Sequence, residues 1–486
     1  MTDTLIPPAV VSADASGEQI ARARRLFALQ REARWRVGST GPRERRDRLR
    51  GLRAALLRHR AELHAAVHAD FRKNAVEFDL TELQVVLAEI RHAIHRLPRW
   101  MRPRRVSTPV LLAHARSHIR YEPKGQALIL SPWNYPLLLT MGPLVGAVAA
   151  GNCVILRPSE KVPHTSRVMG RIVADAFPED EAALVEGEVE GADTLLAMPF
   201  DHMFFTGSTA VGRKVMRAAA EHLASVTLEL GGKSPAVLDR SADVRTAAER
   251  IVWSKFVNAG QTCVAPDFVL VHASQEREFV DAAAATLARL YGADPRAADS
   301  FPRLIDDRAY ERLTRAVDGS VAAGARIAAG GERHAGERYL APTLLADVPP
   351  HAPIMDEEIF GPVLPILAYR DLDRALAEVN ARPKPLALYV FGRDRRATRR
   401  VIASTRAGGT VVNNAIVHLG NPGLPFGGAG ESGQGSYHGF HGFRAFSHER
   451  AVLVQGRLSL TKRLYPPYTP RVKRLADLLV RWQARR

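Results

Sequence analysis

The chain has 486 residues, of which 46% are hydrophobic and 24% charged, and it carries a formal charge of +17. That length is too great for one ordinary core and predicts two or three domains of a globular class. Its two cysteines, Cys153 and Cys263, exclude a disulfide framework and a metal-ligand spacing, and fit a reducing cytoplasm.

The positive charge comes from arginine far more than lysine and is spread along the chain, with local clusters at Arg43-Glu44-Arg45-Arg46 and Arg393-Asp394-Arg395-Arg396. It reads as a solvated basic surface. No zinc-finger spacing or RNA-binding aromatic motif supports a nucleic-acid partner. Met1 to Gly17 lacks a basic stretch followed by an apolar core, so no leader is expected. The longest apolar run, Ala127 to Ala150, is broken by Pro132, Asn134, Pro136 and Pro143, which argues against a membrane span.

From Gly17 to about Trp100 the spacing predicts three amphipathic helices. Ser16 and Gln19 suggest a capping box. Leu49, Leu52, Leu56 and Leu57 recur at helical spacing, as do Leu83, Val86, Leu87 and Ile90. Met101-Arg102-Pro103 closes the third helix. Val110–Leu112 and His118–Tyr121 then read as a hairpin around a small polar turn.

From Gln126 the pattern becomes apolar strands alternating with helices. Strands are expected over Ala127–Leu130, Cys153–Leu156, Leu184–Val189, His202–Phe205 and Ser225–Leu230. The helices between them are Pro136–Ala150, His164–Phe177 and Gly207–Ala220. This alternation predicts a parallel, doubly wound sheet. A second such unit begins near Lys233, with strands Ala236–Leu238 and Phe268–Val271 and helices Ala242–Val257 and Glu276–Leu287. His351 to Pro365 reads as a loop. Leu386–Val390, Val401–Ser404 and Thr410–Val412 continue the alternation. Gly420 to Gly435 is too rich in glycine and proline to be regular. Arg471–Gln483 can form a helix with Leu475, Leu478, Leu479 and Trp482 on one side. Docking on the body is the reading preferred there over contact with a membrane surface.

Two segments carry chemistry. Asn258-Ala259-Gly260-Gln261-Thr262-Cys263 sets a thiol behind a small polar turn, where substrate can reach the sulfur and backbone N–H groups can face a developing negative charge. Leu228-Glu229-Leu230-Gly231-Gly232 sets a carboxylate between leucines before a Gly-Gly turn. A nucleophile and a base are the two parts of covalent acyl chemistry. Taken singly, a lone cysteine is usually a small buried hydrophobe and a lone glutamate a surface charge.

Together these segments resemble the active-site signatures of the aldehyde dehydrogenase superfamily. Four more matches follow in the family's order: Ser131-Pro132-Trp133-Asn134-Tyr135-Pro136, Phe205-Thr206-Gly207-Ser208, Glu358-Ile359-Phe360-Gly361-Pro362 and Pro425-Phe426-Gly427-Gly428. The resemblance runs from about Gly17 to about Val454. Gly430 to Gly439 and Tyr465-Pro466-Pro467-Tyr468 resemble the class-3 branch, which includes fatty, aromatic and coniferyl aldehyde dehydrogenases.

The resemblance implies an NAD(P)-dependent oxidation of a medium- or long-chain, aromatic or coniferyl-type aldehyde to its acid, through a thiohemiacetal and a thioester. It maps Cys263 to the nucleophile, Asn134 to the oxyanion amide and Glu229 to the general base. Cofactor contacts map to Trp133, Arg157, Glu160, Gly207, Ser208, Val211, Leu230, Glu358 and Phe360. No metal is implied. Glu358 is also a second candidate base, ranked behind Glu229. Arg157 stands where relatives usually carry lysine, which opens the choice between NAD and NADP. Tyr135, Asn414 and His418 are candidate pocket liners. The implied domains are a cofactor-binding unit over 1–105 and 123–232, a catalytic unit over 233–415, a bridging and oligomerising element over 106–122 and 416–460, and a basic tail over 461–486. A homodimer is implied. Two other readings share the fold: a CoA-acylating or thioesterase-like relative, and a non-catalytic binding protein. Retention of Glu229 argues against the first, and retention of Cys263, Asn134 and Glu229 together against the second.

Overall fold

The structure, a computed structural model, describes residues 13–187 and 189–484. The leader reading of Met1 to Gly17 falls mostly outside them. Two doubly wound, mainly parallel sheets dominate the chain, as expected, and a small antiparallel sheet accompanies them.

The first sheet runs in the order Gly433–Gln434, Ser225–Leu230, His202–Gly207, Gln126–Ser131, Cys153–Pro158, Ala182–Leu184. Only Gly433–Gln434 is antiparallel to its neighbour. Every residue of Gln126–Ser131 and Cys153–Pro158 is buried. Helices cover both faces of such a sheet, so its central strands are apolar without alternation. Pro136–Ala150 connects these two strands and is itself buried along its whole length.

The second sheet runs Arg326–Ala329, Thr343–Ala346, Val363–Tyr369, Phe268–His272, Pro235–Leu238, Ala387–Phe391, Gly409–Val412. One continuous apolar core joins the sheets, with Ile129, Leu156 and Phe204 from the first and Ala236, Val269 and Tyr389 from the second.

Several expectations are corrected. The N-terminal region holds more than three helices: Ala13–Gly38, Pro42–Arg58, Arg60–Phe71, Ala75–Phe78, a π-helical turn Asp79–Leu83, and Gln84–Trp100. The first helix is already formed at Ala13, so Ser16 lies inside it rather than at its start. Val110–Leu112 is a 3₁₀ turn; the strands that pair with Ala115–Pro123 are Arg104–Val106, placing Arg104 opposite Ile119, and Ser447–Gln455. The strand expected at Leu184–Val189 is Ala182–Leu184, because Gly187 turns the chain at φ +128° and Val189 opens a helix. The loop expected up to Pro365 contains the start of Val363–Tyr369. Pro365 is tolerated there because pairing to Thr343–Ala346 ends at Pro365 and pairing to Phe268–His272 begins at Ile366. The last helix, Pro470–Ala484, has no buried residue and packs on the turn Leu460–Leu464.

Candidate active site

Strands of the first sheet end together at the side where the motifs lie. Trp133-Asn134 follows Gln126–Ser131, Arg157 to Glu160 closes Cys153–Pro158, Gly207-Ser208 closes His202–Gly207, and Glu229-Leu230 closes Ser225–Leu230. The connectivity reverses between Gln126–Ser131 and His202–Gly207. A ligand crevice forms at such a switch point, beyond the carboxyl ends of the strands.

A cavity of about 260 Å³ opens there. Nine of the twelve expected site residues line it: Cys263, Glu229 and Asn134, with Trp133, Gly207, Ser208, Leu230, Glu358 and Phe360. Arg157, Glu160 and Val211 lie outside its lining, and so do Tyr135, Asn414 and His418. Thr206, quoted within a motif but given no role, and Leu139 also line it. The buried hydroxyl of Thr206 has no protein partner, which marks it only once the cavity is known.

The thiol sits on a tightly built turn. Asn258 and Ala259 adopt left-handed backbone (φ 56° and 52°), followed by Gly260 at φ 73°. A Cβ on Gly260 would run into the Gly361 carbonyl, so glycine is required where this turn meets the Glu358-Ile359-Phe360 loop. Side-chain amides brace the turn. Asn134 Nδ2 donates to the Gln261 carbonyl at 2.9 Å, and Asn258 Nδ2 donates to the Asn134 carbonyl at 2.9 Å. Gln261 Nε2 reaches the carbonyls of Asn258 and Arg303, each at 3.1 Å. Tyr389 donates its hydroxyl to the Val264 carbonyl. Cys263 is half-buried, and burial pushes its thiol up to about 12, with Glu358 and then Glu229 adding to the effect. Cys153 is fully buried beside Ala33 and Val37 and belongs to the core.

Glu229 lies on a strand whose Leu228 and Leu230 face the opposite apolar layer. Alternation along the strand therefore turns the carboxylate toward the cavity. It is 2% exposed and neither oxygen has a hydrogen-bond partner. Burial holds this carboxyl well above its ordinary range.

Glu358 lies over the Gly-Gly turn: a Cβ on Gly231 would strike its carboxylate, and the Gly232 N–H donates to it. Burial first, then Asp267, pushes Glu358 up to about 8. Its loop is fixed from several sides. Ile359 N donates to Asp267 Oδ1 at 2.9 Å, Arg312 Nη2 donates to the Ile359 carbonyl at 2.6 Å, and Lys233 Nζ bridges Asp267 and the Glu357 carbonyl at 2.5 and 2.7 Å. Lys255 is fully buried nearby with an ammonium that has no hydrogen-bond partner, and burial lowers it to about 8.

Ser208 caps Thr209–Glu221 by accepting from Val211 N at 3.4 Å, leaving a helix N-terminus at the cavity mouth. Trp133 and Phe360 meet edge to face, with ring centroids 5.5 Å apart. Arg157 is buried and donates to the carbonyls of Pro158 and Gly187, while Glu160 is exposed.

The sequence model of the Aldehyde dehydrogenase family matches residues 9–452. The chain belongs to the aldehyde dehydrogenase family. It is 42% identical over 429 residues to the 4,4'-diaponeurosporen-aldehyde dehydrogenase of Staphylococcus aureus, covering 88% of this chain and 93% of that one. It is 41% identical over 474 residues to human aldehyde dehydrogenase family 3 member B1, covering 97% and 98%. Among solved structures, the substrate-bound state of Staphylococcus aureus AldH superposes with a TM-score of 0.90 at 40% identity, covering 94% of this chain and 99% of that one. A Mycobacterium tuberculosis aldehyde dehydrogenase complexed with NAD⁺ superposes with a TM-score of 0.82 at 28% identity, covering 90% and 91%. This aldehyde dehydrogenase is class-3-like and oxidises an aldehyde to the acid with NAD or NADP. Among the described residues, no helix is long and apolar enough to cross a membrane.

Proposed function

We propose that Cys263 attacks the aldehyde carbon, that Asn134 Nδ2 and the Cys263 N–H hold the oxyanion, and that Glu229 deprotonates the water that later releases the acid. The observation that carries this reading is the convergence of Cys263, Asn134 and two buried carboxyls in one cavity. NAD, when bound, supplies the hydride acceptor. Trp133, Gly207, Ser208, Leu230, Glu358 and Phe360 would hold it, and the unpartnered Thr206 hydroxyl offers one more polar contact. The sequence of events at the protein is short. Attack forms a thiohemiacetal on Sγ, loss of hydride leaves a thioester, and water attacks the acyl carbon while Glu229 takes its proton and the C–S bond breaks, releasing the acid and restoring the thiol. A carboxyl raised by burial is a stronger base once ionised than one in water.

NAD is the preferred cofactor in this reading. The Arg157 guanidinium donates to two backbone carbonyls, so its fork is not presented to a ribose phosphate, and exposed Glu160 favours free hydroxyls. The substrate is an apolar aliphatic or aromatic aldehyde, supported by the aromatic packing of Tyr389, Phe426 and Tyr437 close to the catalytic turn. The units 1–105 with 123–232, 233–415, and 106–122 with 416–460 serve as cofactor, catalytic and bridging parts, and Gly433–Gln434 of the last adds an edge strand to the first sheet. The enzyme works as a homodimer in a reducing cytoplasm. The free edge strand Ser447–Gln455, with Leu453 and Val454 exposed, supports the first statement, and the two free cysteines support the second. Membrane contact by the C-terminal helix is not part of this reading.

The experiment is NADH formation with an aldehyde panel and no CoA, in wild type and Cys263→Ala. The variant is expected to lose turnover while binding NAD unchanged. Turnover near wild type would remove Cys263 from the chemistry.

A further inference from the structure

The helix Pro136–Ala150 begins two residues after Asn134 and is buried from its first turn. Its leading N–H groups need acceptors that water cannot supply. Pro136 has no N–H, and Tyr135 at the cap position makes no side-chain cap. The acceptor comes from a distant helix: Glu82 Oε2 takes Leu137 N at 2.9 Å and Leu138 N at 3.2 Å. The other oxygen, Oε1, accepts from Lys73 Nζ at 2.7 Å. Both side chains are fully buried. Lys73 Nζ also stands 4.0 Å from the centre of the Tyr135 ring. The far end of that ring carries a hydroxyl 2.7 Å from Thr262 Oγ1. Thr262 adjoins Cys263 and Tyr135 adjoins Asn134. One buried chain of contacts therefore links the neighbours of the oxyanion amide and of the reacting sulfur.

We propose that Lys73, Glu82 and Tyr135 are positioning residues that set the Asn134 amide against Cys263 for the oxidation; this rests on the assignment of Asn134 as the oxyanion donor. Stability alone does not call for such a device. A buried ion pair is often no more stable than apolar side chains of the same volume. What the pair supplies is direction. Glu82 aims the helix N-terminus, Lys73 fixes Glu82 and the Tyr135 ring together, and the Tyr135 hydroxyl ties both to the catalytic turn. Glu77 backs the same turn from the same helical region, accepting from Asn258 N at 3.1 Å. Small displacements of a reacting group from its productive geometry carry large rate penalties.

The test is a double-mutant cycle on the pre-steady-state rate of NADH formation in the intact enzyme. Tyr135→Phe removes only the hydroxyl and is expected to slow this step about three- to tenfold. NAD affinity and melting temperature should hold. Asn134→Ala is expected to slow the step about 10²- to 10³-fold. In the Asn134→Ala background, Tyr135→Phe should add nothing, because the group it positions is gone. The neutral pair Lys73→Met/Glu82→Gln should behave like Tyr135→Phe, and it avoids leaving one buried charge alone. Full additivity of Tyr135→Phe with Asn134→Ala, or an unchanged rate in Tyr135→Phe, overturns the positioning role while leaving Asn134 in place. An unchanged rate in Asn134→Ala overturns the site assignment and the positioning role with it.

Discussion

Glu229→Gln is expected to separate the two halves of the reaction. The side chain keeps its size, so the cavity and the strand Ser225–Leu230 are undisturbed. The carboxylate has no hydrogen-bond partner to lose, and the amide brings no charge to bury. Only the proposed base is removed, and general-base catalysis is worth about 10²–10⁴-fold, so steady-state kcat should fall by that factor. Stopped-flow mixing with NAD and aldehyde should still show a burst of one NADH per active site, because hydride loss precedes the step that needs the base. Stability offers a second reading. Burial raises the folded-state value of Glu229 above the usual 4.5, so the folded chain favours the protonated acid. Wild type then loses stability as pH rises above 4.5 toward the folded value, and the glutamine variant does not. The variant should match wild type in acid and exceed it increasingly toward alkaline pH. Loss of the burst would show that Glu229 also activates the thiol. An unchanged kcat would transfer the base to Glu358 and refute the assignment.

Two other substitutions test the frame of the site. Gly260→Ala forces a side chain into left-handed backbone and against the Gly361 carbonyl, and should cost about 2–5 kcal/mol in chemical denaturation; a silent substitution would mean that the turn relaxes freely. Arg157→Lys should leave the ratio of kcat/KM for NAD and NADP within about threefold of wild type, since the guanidinium donates to backbone rather than presenting its fork outward; a clear fall in relative NADP use would show that Arg157 reaches the 2′-phosphate.

The parts of this enzyme that the sequence makes legible are those whose signal is local. Leu228-Glu229-Leu230 announces a strand with one face apolar and one acid turned the other way, and the structure keeps that alternation. The bounds expected for Pro136–Ala150 and Ser225–Leu230 are those observed. Errors arise where a partner strand or turn decides the outcome. Val110–Leu112 is apolar enough for a strand, but the edge beside Ala115–Pro123 is taken by Arg104–Val106. Pro365 suggests a loop, yet it falls at the one register position where a change of neighbours spares its missing N–H. The sequence singles out neither Lys73 nor Glu82. Their role follows from a helix start more than fifty residues later, and no periodicity reports that.

The two carboxyls of the cavity restrain ionisation of the Cys263 thiol, and this yields a test with a definite sign. Burial raises each of them: Cys263 up to about 12, Glu358 to about 8, and Glu229 well above its usual range. The charge that opposes ionisation of Cys263 most, after burial, is that of Glu358. Below about 8 Glu358 is protonated and exerts no such effect; above that value it is charged and holds the thiol protonated. Glu358→Gln should therefore leave alkylation of Cys263 by iodoacetamide unchanged on the acid side of that value and accelerate it on the alkaline side. Cys153, buried in the core and itself pushed up to about 12, contributes little, and the Cys263→Ala variant provides the blank. Equal acceleration across the whole pH range would mean that the substitution opens the cavity rather than removing a charge. No acceleration at alkaline pH would mean that Glu358 faces away from the sulfur, as a residue occupied only with the Gly231-Gly232 turn would do.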